Sequence, residues 1–315
     1  MSKVAVIGSF NVDHVWRCAN LPRPGQTLSG SYASHAGGKG FNQAVAARRA
    51  GADTLFICAL GSDAGGQLAR ALAAADGIDL RDQSSEAPTG TAGIYVDAHG
   101  CNSIVIGPGA NAALRAGFID AHAHALAQAT VALAQLESPN AAVARGLTLA
   151  RAAGALCLLN PAPANAATTE ELLALTDVLT PNESEFCALL ARHRGMTLEP
   201  AALAQMGEAG LHALCRALHP HGSVVVTLGE AGCFVSHADA QPRGDAQTHY
   251  ALPAERVDAV DTTGAGDAFN GALAASLALR ARIPFAAHAA FANHYAARSI
   301  LHHGAAASMP HLPIA

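Results

Sequence analysis

Short apolar runs recur along the chain and alternate with longer Ala/Leu-rich segments. The first run, residues 4–7, stops at Gly8; others lie at 54–59, 131–135, 156–159, 178–179 and 224–228. Runs this short, apolar at successive positions, suit strands buried on both faces of a parallel sheet. Between them, residues 39–50, 65–75, 139–153, 167–175 and 208–218 carry apolar side chains at helical spacing. The alternation predicts an open, mostly parallel sheet covered by helices on both faces. No Pro- or Ser-rich linker interrupts it, so residues 1–315 read as a single three-layer α/β domain.

Two inserts break the alternation. Residues 13–35 and 90–106 hold short stretches of mixed polarity, at 13–18, 27–32, 91–97 and 103–106. They surround the turn signals Pro22-Arg23-Pro24-Gly25 and Ala98-His99-Gly100. The patterning is that of an exposed antiparallel sheet. If the two inserts meet, they form one small β-sheet flap that would serve as an active-site lid or a dimer surface. Decorative hairpins are the alternative.

Composition narrows the field. Apolar residues make up 51% of the chain and charged ones 14%, which suits a sizeable core and excludes a disordered chain. The net charge of −5 argues against nucleic acid or anionic lipid as the main partner, though not against a small anion held by a local field. No uninterrupted apolar run reaches the roughly 18 residues of a membrane span. Residues 1–10 enter the first strand pattern without a charged leader or cleavage site. The seven cysteines are scattered singly with no CxxC pair, so reduced thiols and a cytoplasmic location are expected. Cys101 and Cys233 lie in or beside strand-like segments and read as packed thiols. The 16 histidines include no HExxH arrangement, and most are expected on the surface or in loops.

The strongest chemical signal is Asp261-Thr262-Thr263-Gly264-Ala265-Gly266-Asp267. It follows a strand-like stretch at 256–260 and opens the apolar segment 268–279. Small residues before a helix leave backbone N–H groups open to an anion, and the helix dipole adds a favourable field. Asp267 at that helix start is placed to take a proton from a hydroxyl attacking a phosphoryl group held on the 264–267 amides. The alternative makes Asp267 a capping residue behind a glycine turn. A second turn, Gly37-Gly38-Lys39-Gly40-Phe41-Asn42, also leads into a helix. It is not a P-loop, and no strand–GxGxxG–helix fingerprint is present. Lys39 and Asn42 would offer a cation and an amide to a polyhydroxylated ligand. Asn11 and Asp13, Glu137, Asn160, Asn182 and Glu185, Thr227 and Gly229 all follow predicted strands, where open α/β sheets bind ligands. Such carboxylates and amides suit sugar hydroxyls and hydrated Mg²⁺.

Residues 37–52 and 261–273 resemble the two signatures of the ribokinase-like (PfkB) carbohydrate kinases. The resemblance extends through Gly8-Ser9-Phe10-Asn11-Val12-Asp13, Gly109-Ala110-Asn111, Leu136-Glu137-Ser138-Pro139, Asn160-Pro161-Ala162-Pro163 and Thr180-Pro181-Asn182-Glu183. It implies the family's three-layer fold with a β-sheet lid, and a homodimer clasped through that lid. It implies ATP-dependent phosphorylation of D-ribose at the 5-hydroxyl. Another pentose, a ketohexose or a nucleoside is the alternative acceptor, and a non-catalytic sugar sensor the alternative class. Asn11, Asp13, Gly38, Lys39, Asn42 and Glu137 match sugar-binding positions, Asp267 the base, and Gly264, Ala265 and Gly266 the anion hole. Asn182 and Glu185 match an NxxE motif associated with Mg²⁺ and phosphate. Thr227, Gly229 and Asn293 match positions around the nucleotide. Asp261, Thr263 and Ser308 match the surroundings of an activating monovalent cation, normally K⁺. Phe41, Thr263 and His302-His303 depart from the family pattern.

Overall fold

The computed structural model describes residues 3–240 and 243–314. Residues 1–2 of the opening segment therefore lie outside the described residues. The main sheet contains β1 (Lys3–Ile7), β4 (Asp53–Gly61), β5 (Asp79–Ser85), β8 (Val131–Ala134), β9 (Leu156–Leu159), β10 (Val178–Leu179), β11 (Ser223–Thr227), β12 (Cys233–His237) and β13 (His249–Leu252). Their order is β13-β12-β11-β10-β9-β8-β1-β4-β5. Pairing is parallel from β5 to β11 and antiparallel through β12 and β13.

The helices are α1 (Lys39–Arg49), α2 (Ala64–Asp76), α3 (Ala116–Ala121), α4 (Ala123–Leu126), α5 (Asn140–Ala152), α6 (Glu170–Ala174), α7 (Glu183–Arg194), α8 (Pro200–Ala204), α9 (Glu208–Leu218), α10 (Ala265–Leu279) and α11 (Phe285–Ser299). Strand alternation divides the core into two layers. Val4, Val6, Phe56 and Leu133 share a cluster with apolar residues of α1, α10 and α11. Ala5, Ile7, Ile57 and Ala134 share the other with α5, α7 and α9. Both strand faces are buried, which is why these strands lack a polar side in the sequence.

The two inserts do meet. β2 (Asn11–Arg17), β3 (Ser31–Gly37), β6 (Gly90–Val96) and β7 (Asn102–Gly107) form a separate four-stranded sheet in the order β3-β2-β6-β7. Its outer pairings are antiparallel, while the central β2–β6 pairing that joins the inserts is parallel. β3 begins four residues later than the 27–32 pattern suggests. Its register is set by pairing with β2, which places Gly37 opposite Asn11. Residues 256–260 form no strand; Val260 instead donates its amide to the Ile300 carbonyl. The edge strands β5 and β13, and β12 beside β13, are absent from the sequence reading because their polar and apolar residues are mixed.

The described cysteines are all unpaired; Cys233 is buried as expected, whereas Cys101 is exposed in the turn before β7. Several histidines are core residues rather than surface ones, including His219, His237 and His288. His237 lies between Ser223 and Asp245, hydrogen-bonded to both. Among the described residues no helix is long and apolar enough to cross a membrane, and no group of three or more His, Cys, Asp or Glu side chains is arranged to hold a metal ion.

Candidate active site

The carboxyl ends of β1, β8, β9, β10 and β11 open onto one cleft, where α1 and α10 also begin. Both helices start at a glycine. Gly38 precedes α1 with φ of 87°, and a Cβ there would lie 2.7 Å from the Asn11 amide nitrogen, so no other residue fits the turn. With no capping side chain of its own, α1 is capped from across the sheet. Glu137 Oε2 accepts from the Lys39 amide (3.0 Å) and from the Ser9 hydroxyl (2.6 Å). Glu137 thus organises the start of α1, and its charge acts on Asp13, Lys39 and Asp267.

α10 begins behind Gly264, whose φ is 79°. The Ala265 amide bonds the Thr262 carbonyl, which removes one donor from the expected anion hole. Gly266 and Asp267 occupy the next two helix positions, where amides lack an intrahelical acceptor. The two helices approach closely at Gly271: a Cβ there would sit 2.5 Å from both Ala46 Cβ and the Gln43 carbonyl oxygen. This contact brings the first turn of α1 against that of α10. Asn42 Nδ2 donates to Asp267 Oδ2 (2.8 Å), and Gln43 Nε2 to Asp267 Oδ1 (2.9 Å).

Charges concentrate here. Asp267 is buried, and burial drives its pKa above the ordinary carboxylate value, against the pull of Lys39, Asn42 and Gln43; Glu137 adds to the rise. Burial pushes Asp13 up to about 7, reinforced by Glu137 and Asp267 and opposed by Lys39. Burial disfavours the Lys39 ammonium, but the combined field of Asp267, Glu137, Glu185 and Asp13 outweighs it and raises the Lys39 pKa. One cation therefore sits among four carboxylates, the arrangement expected where pKa values are tuned for chemistry.

A cavity of about 170 Å³ is lined by Lys39, Asn182, Glu185, Thr227, Gly264, Ala265, Gly266 and Asp267, with Asn160 and Asn270. A second cavity, about 690 Å³, lies between the small sheet and the loops around 259–263 and 303–305; Asp13, Asp261 and Thr263 line it. Asn182 and Glu185 form a reciprocal capping box at the start of α7, with bonds of 2.9 and 2.8 Å. Burial raises the Glu185 pKa, although the Asn182 amide and Lys39 oppose this. Asn11 is buried and accepts a hydrogen bond from Asn111 Nδ2, so Asn111 orients it.

Other sequence candidates lie apart. Gly229 and Asn293 line neither cavity; Asn293 is buried and donates to the Leu252 and Pro253 carbonyls, tying α11 to the end of β13. Asp261 accepts from the Thr263 and Gly304 amides, both at 3.0 Å. Burial opposes its ionisation, but these amides hold its pKa below the usual carboxylate value. Thr263 contributes that amide while its side chain is exposed. The Ser308 hydroxyl is buried and donates to the Ala305 carbonyl.

Sequence reasoning missed Ser9, Gln43, Asn111, Gln135 and Arg49 as parts of this assembly. Arg49, in the last turn of α1, pairs through two bonds with Asp76 and donates to the Met309 carbonyl (2.8 Å), bracing the loop behind Gly264. Their signal was faint: single polar residues inside or beside apolar runs.

A buried carboxylate beside a glycine-led helix start, in a polar cleft at the strand ends, is suited to moving a phosphoryl group onto a hydroxyl. The chain belongs to a family of enzymes that do so, the pfkB family carbohydrate kinases, whose model matches residues 1–312. Among its relatives, the ribokinase of Mus musculus is 35% identical over 319 residues, covering 99% of this chain and 94% of that protein. A bifunctional ribokinase/ribose-5-phosphate isomerase A of Fructilactobacillus sanfranciscensis is 38% identical over 300 residues, covering 92% of this chain; the match spans about half, 52%, of that longer protein. The structure of Arabidopsis thaliana ribokinase complexed with ribose and ATP superposes with a TM-score of 0.84 at 28% identity, covering 98% of this chain and 96% of that one.

Proposed function

We propose that this chain transfers the γ-phosphoryl group of ATP to the 5-hydroxyl of D-ribose, giving D-ribose 5-phosphate and ADP. The observation that carries the reading is Asp267, buried at the first turn of α10 with one amide donor on each carboxylate oxygen. Full-length similarity to ribokinases supports the acceptor.

The sugar lies under the small sheet, its hydroxyls held by Asn11, Asp13, Gly38, Lys39, Asn42 and Glu137. Asp267 accepts the proton of the 5-hydroxyl as its oxygen bonds to the γ-phosphorus and the bond to the ADP oxygen breaks. Amides of the 264–267 turn, with Lys39, balance charge on the transferring group. Closure of the small sheet excludes water, so transfer to ribose prevails over hydrolysis. Thr227, Gly229 and Asn293 are the candidates for the nucleotide's far end.

Two cations fit the residues present. Glu185 brings one carboxylate to the small cleft, which suits a Mg²⁺ ion that keeps waters and borrows phosphate oxygens. When bound, Mg²⁺ would neutralise charge on the phosphates. The ionised Asp261, with Thr263, Ser308 and carbonyls of the 300–308 loop, would offer oxygen donors to a hard monovalent cation such as K⁺. When bound there, that ion would strengthen the field at the neighbouring Gly264 turn.

A homodimer through the small sheet is part of the same reading. Its support is the outer surface of that sheet, where Tyr32 is 54% and Val105 67% exposed. We place the activity in the cytoplasm, in keeping with the unpaired cysteines.

The test is ADP release by purified protein with ATP, Mg²⁺ and a panel of ribose, deoxyribose, fructose and adenosine, with and without K⁺. Preference for ribose is expected. Preference for another acceptor would reassign the substrate, and ribose binding without ADP release would indicate a sensor.

A further inference from the structure

Gln43 is fully buried one residue after Asn42, and its amide faces inward on every side. Its Nε2 donates to Asp267 Oδ1 (2.9 Å) and to Asn160 Oδ1 (3.0 Å), while its Oε1 accepts from Gln135 Nε2. Each amide in this chain has its orientation fixed by the next. The Thr180 carbonyl can only accept, so it takes Asn160 Nδ2 (2.9 Å) and turns Asn160 Oδ1 toward Gln43. A flipped Gln43 would set its oxygen against two acceptor oxygens and its NH₂ against that of Gln135. The neighbouring Asn42 differs: its Nδ2 holds Asp267 Oδ2, but its Oδ1 is buried without a partner. One amide is thus left with a free acceptor and the other is wholly consumed inside the protein.

We propose that Gln43, locked by Gln135 and Asn160, is a positioning residue that holds Asp267 Oδ1 and so fixes the orientation in which the carboxylate receives the substrate proton. The lock is buried and preorganised, so the carboxylate reaches the reaction already oriented and hydrogen-bonded as an anion. A donor on Oδ1 favours the ionised form that a base needs. Asp267 is also faced by Lys39 and Asn42 from α1, by Glu137 from the loop after β8, and by Asp13 and Glu185 at longer range. Those charges are common to all variants below, so Gln43 can be isolated against them.

The inference rests on Asp267 being the base of the proposed phosphoryl transfer. The experiment measures kcat and KM against pH for wild type, Gln43→Met and Gln135→Met, with sugar binding followed by calorimetry. Gln43→Met should lower kcat about 30-fold while leaving KM and calorimetric affinity for the sugar within about threefold. The acid limb of its kcat profile should move to higher pH by about one unit, because the ionised base has lost a donor. Gln135→Met, which frees the lock but keeps Gln43, should show the same changes at smaller size and serves if the first variant does not fold. An unshifted acid limb in folded variants, or kcat and sugar affinity falling together, overturns the proposal. Failure of wild-type protein to phosphorylate ribose would count against the substrate reading alone, since the variant-to-wild-type comparison can be made on whichever sugar is turned over.

Discussion

The floor of the cleft and the sheet that covers it are built on opposite principles. In the floor, Asn42, Gln43, Asn160, Asp267 and Asn270 are polar yet no more than 6% exposed; hydrogen bonds join the first four directly, and Thr180 links Asn160 to Asn270. In the covering sheet, β7 is exposed along its whole length and displays Ile104, Val105 and Ile106. Most of these buried polar groups are satisfied in a single geometry, with Asn42 Oδ1 the exception, which holds the floor in place. Ile104 lines the cavity beneath this thin sheet while Val105 is exposed, so on the proposed function the cover would be the part that moves. The proposed phosphoryl transfer would use both: fixed charges where the reaction occurs, and a movable wall that admits the sugar and then excludes water.

The contrast can be broken first at its centre. Asp267→Asn should lower kcat by about 10³-fold while calorimetric sugar affinity stays within about threefold, since the amide keeps the shape but cannot take a proton. Turnover near wild type would remove Asp267 from its role. Next in size is Gly271→Ala, whose Cβ would press on the backbone of α1. It should cost about 2 kcal/mol in urea-unfolding stability and disturb the register of Asn42 and Gln43 on Asp267, with a fall in kcat. An unchanged denaturation midpoint would show that the helices can separate freely.

Asp13 sits where floor and cover meet, and its effect depends on pH. Its folded-state pKa of about 7 lies above the ordinary 3.8, so the folded protein holds the proton more tightly than the unfolded chain. Its contribution to stability is present in full below about 3.8 and is lost as pH rises through 7. Asp13→Asn should therefore raise the melting temperature of the unliganded protein at pH 8 and change it little at pH 4. In the wild type, sugar KM should rise below pH 7 as the acceptor oxygens become protonated. A melting difference independent of pH would place the Asp13 pKa elsewhere. The smallest effect on chemistry is expected from the cover's outer face: Val105→Glu should shift dimer to monomer in sedimentation while kcat at saturating sugar stays within about threefold. A monomeric wild type would sever the link between cover and dimer.

Much of the floor was legible in advance because its signals are local. Glycines before an apolar helical segment mark helix starts from a few consecutive residues, and both such turns lead helices, α1 and α10, that meet at Asp267. The buried strands were equally plain, with β9 and β10 at the limits their apolar runs indicate. Edge strands were not, because residues covered on one side by neighbours and on the other by loops show no clean period. Gln43 and Gln135 were overlooked for a related reason. A polar residue in an apolar run acquires meaning only from what lies across the interface, and 224 positions separate Gln43 from Asp267. Glu137 was placed at the site, but its capping of α1 from 98 positions away was not foreseeable.

By itself the sequence determined the architecture and the inventory of reactive groups. Hydrophobic periodicity and glycine-led helix starts are dictated by a few consecutive residues and the geometry of the backbone. Tertiary structure alone decided how those groups act together. Strand order set β1, β8, β9 and β10 side by side, and the bare Cα of Gly271 let α1 meet α10. Those long-range contacts determine which amide faces which carboxylate oxygen and how far burial shifts each charge. Hydrogen bonds and electrostatic fields depend on distances of a few ångströms, and chain order does not encode them directly.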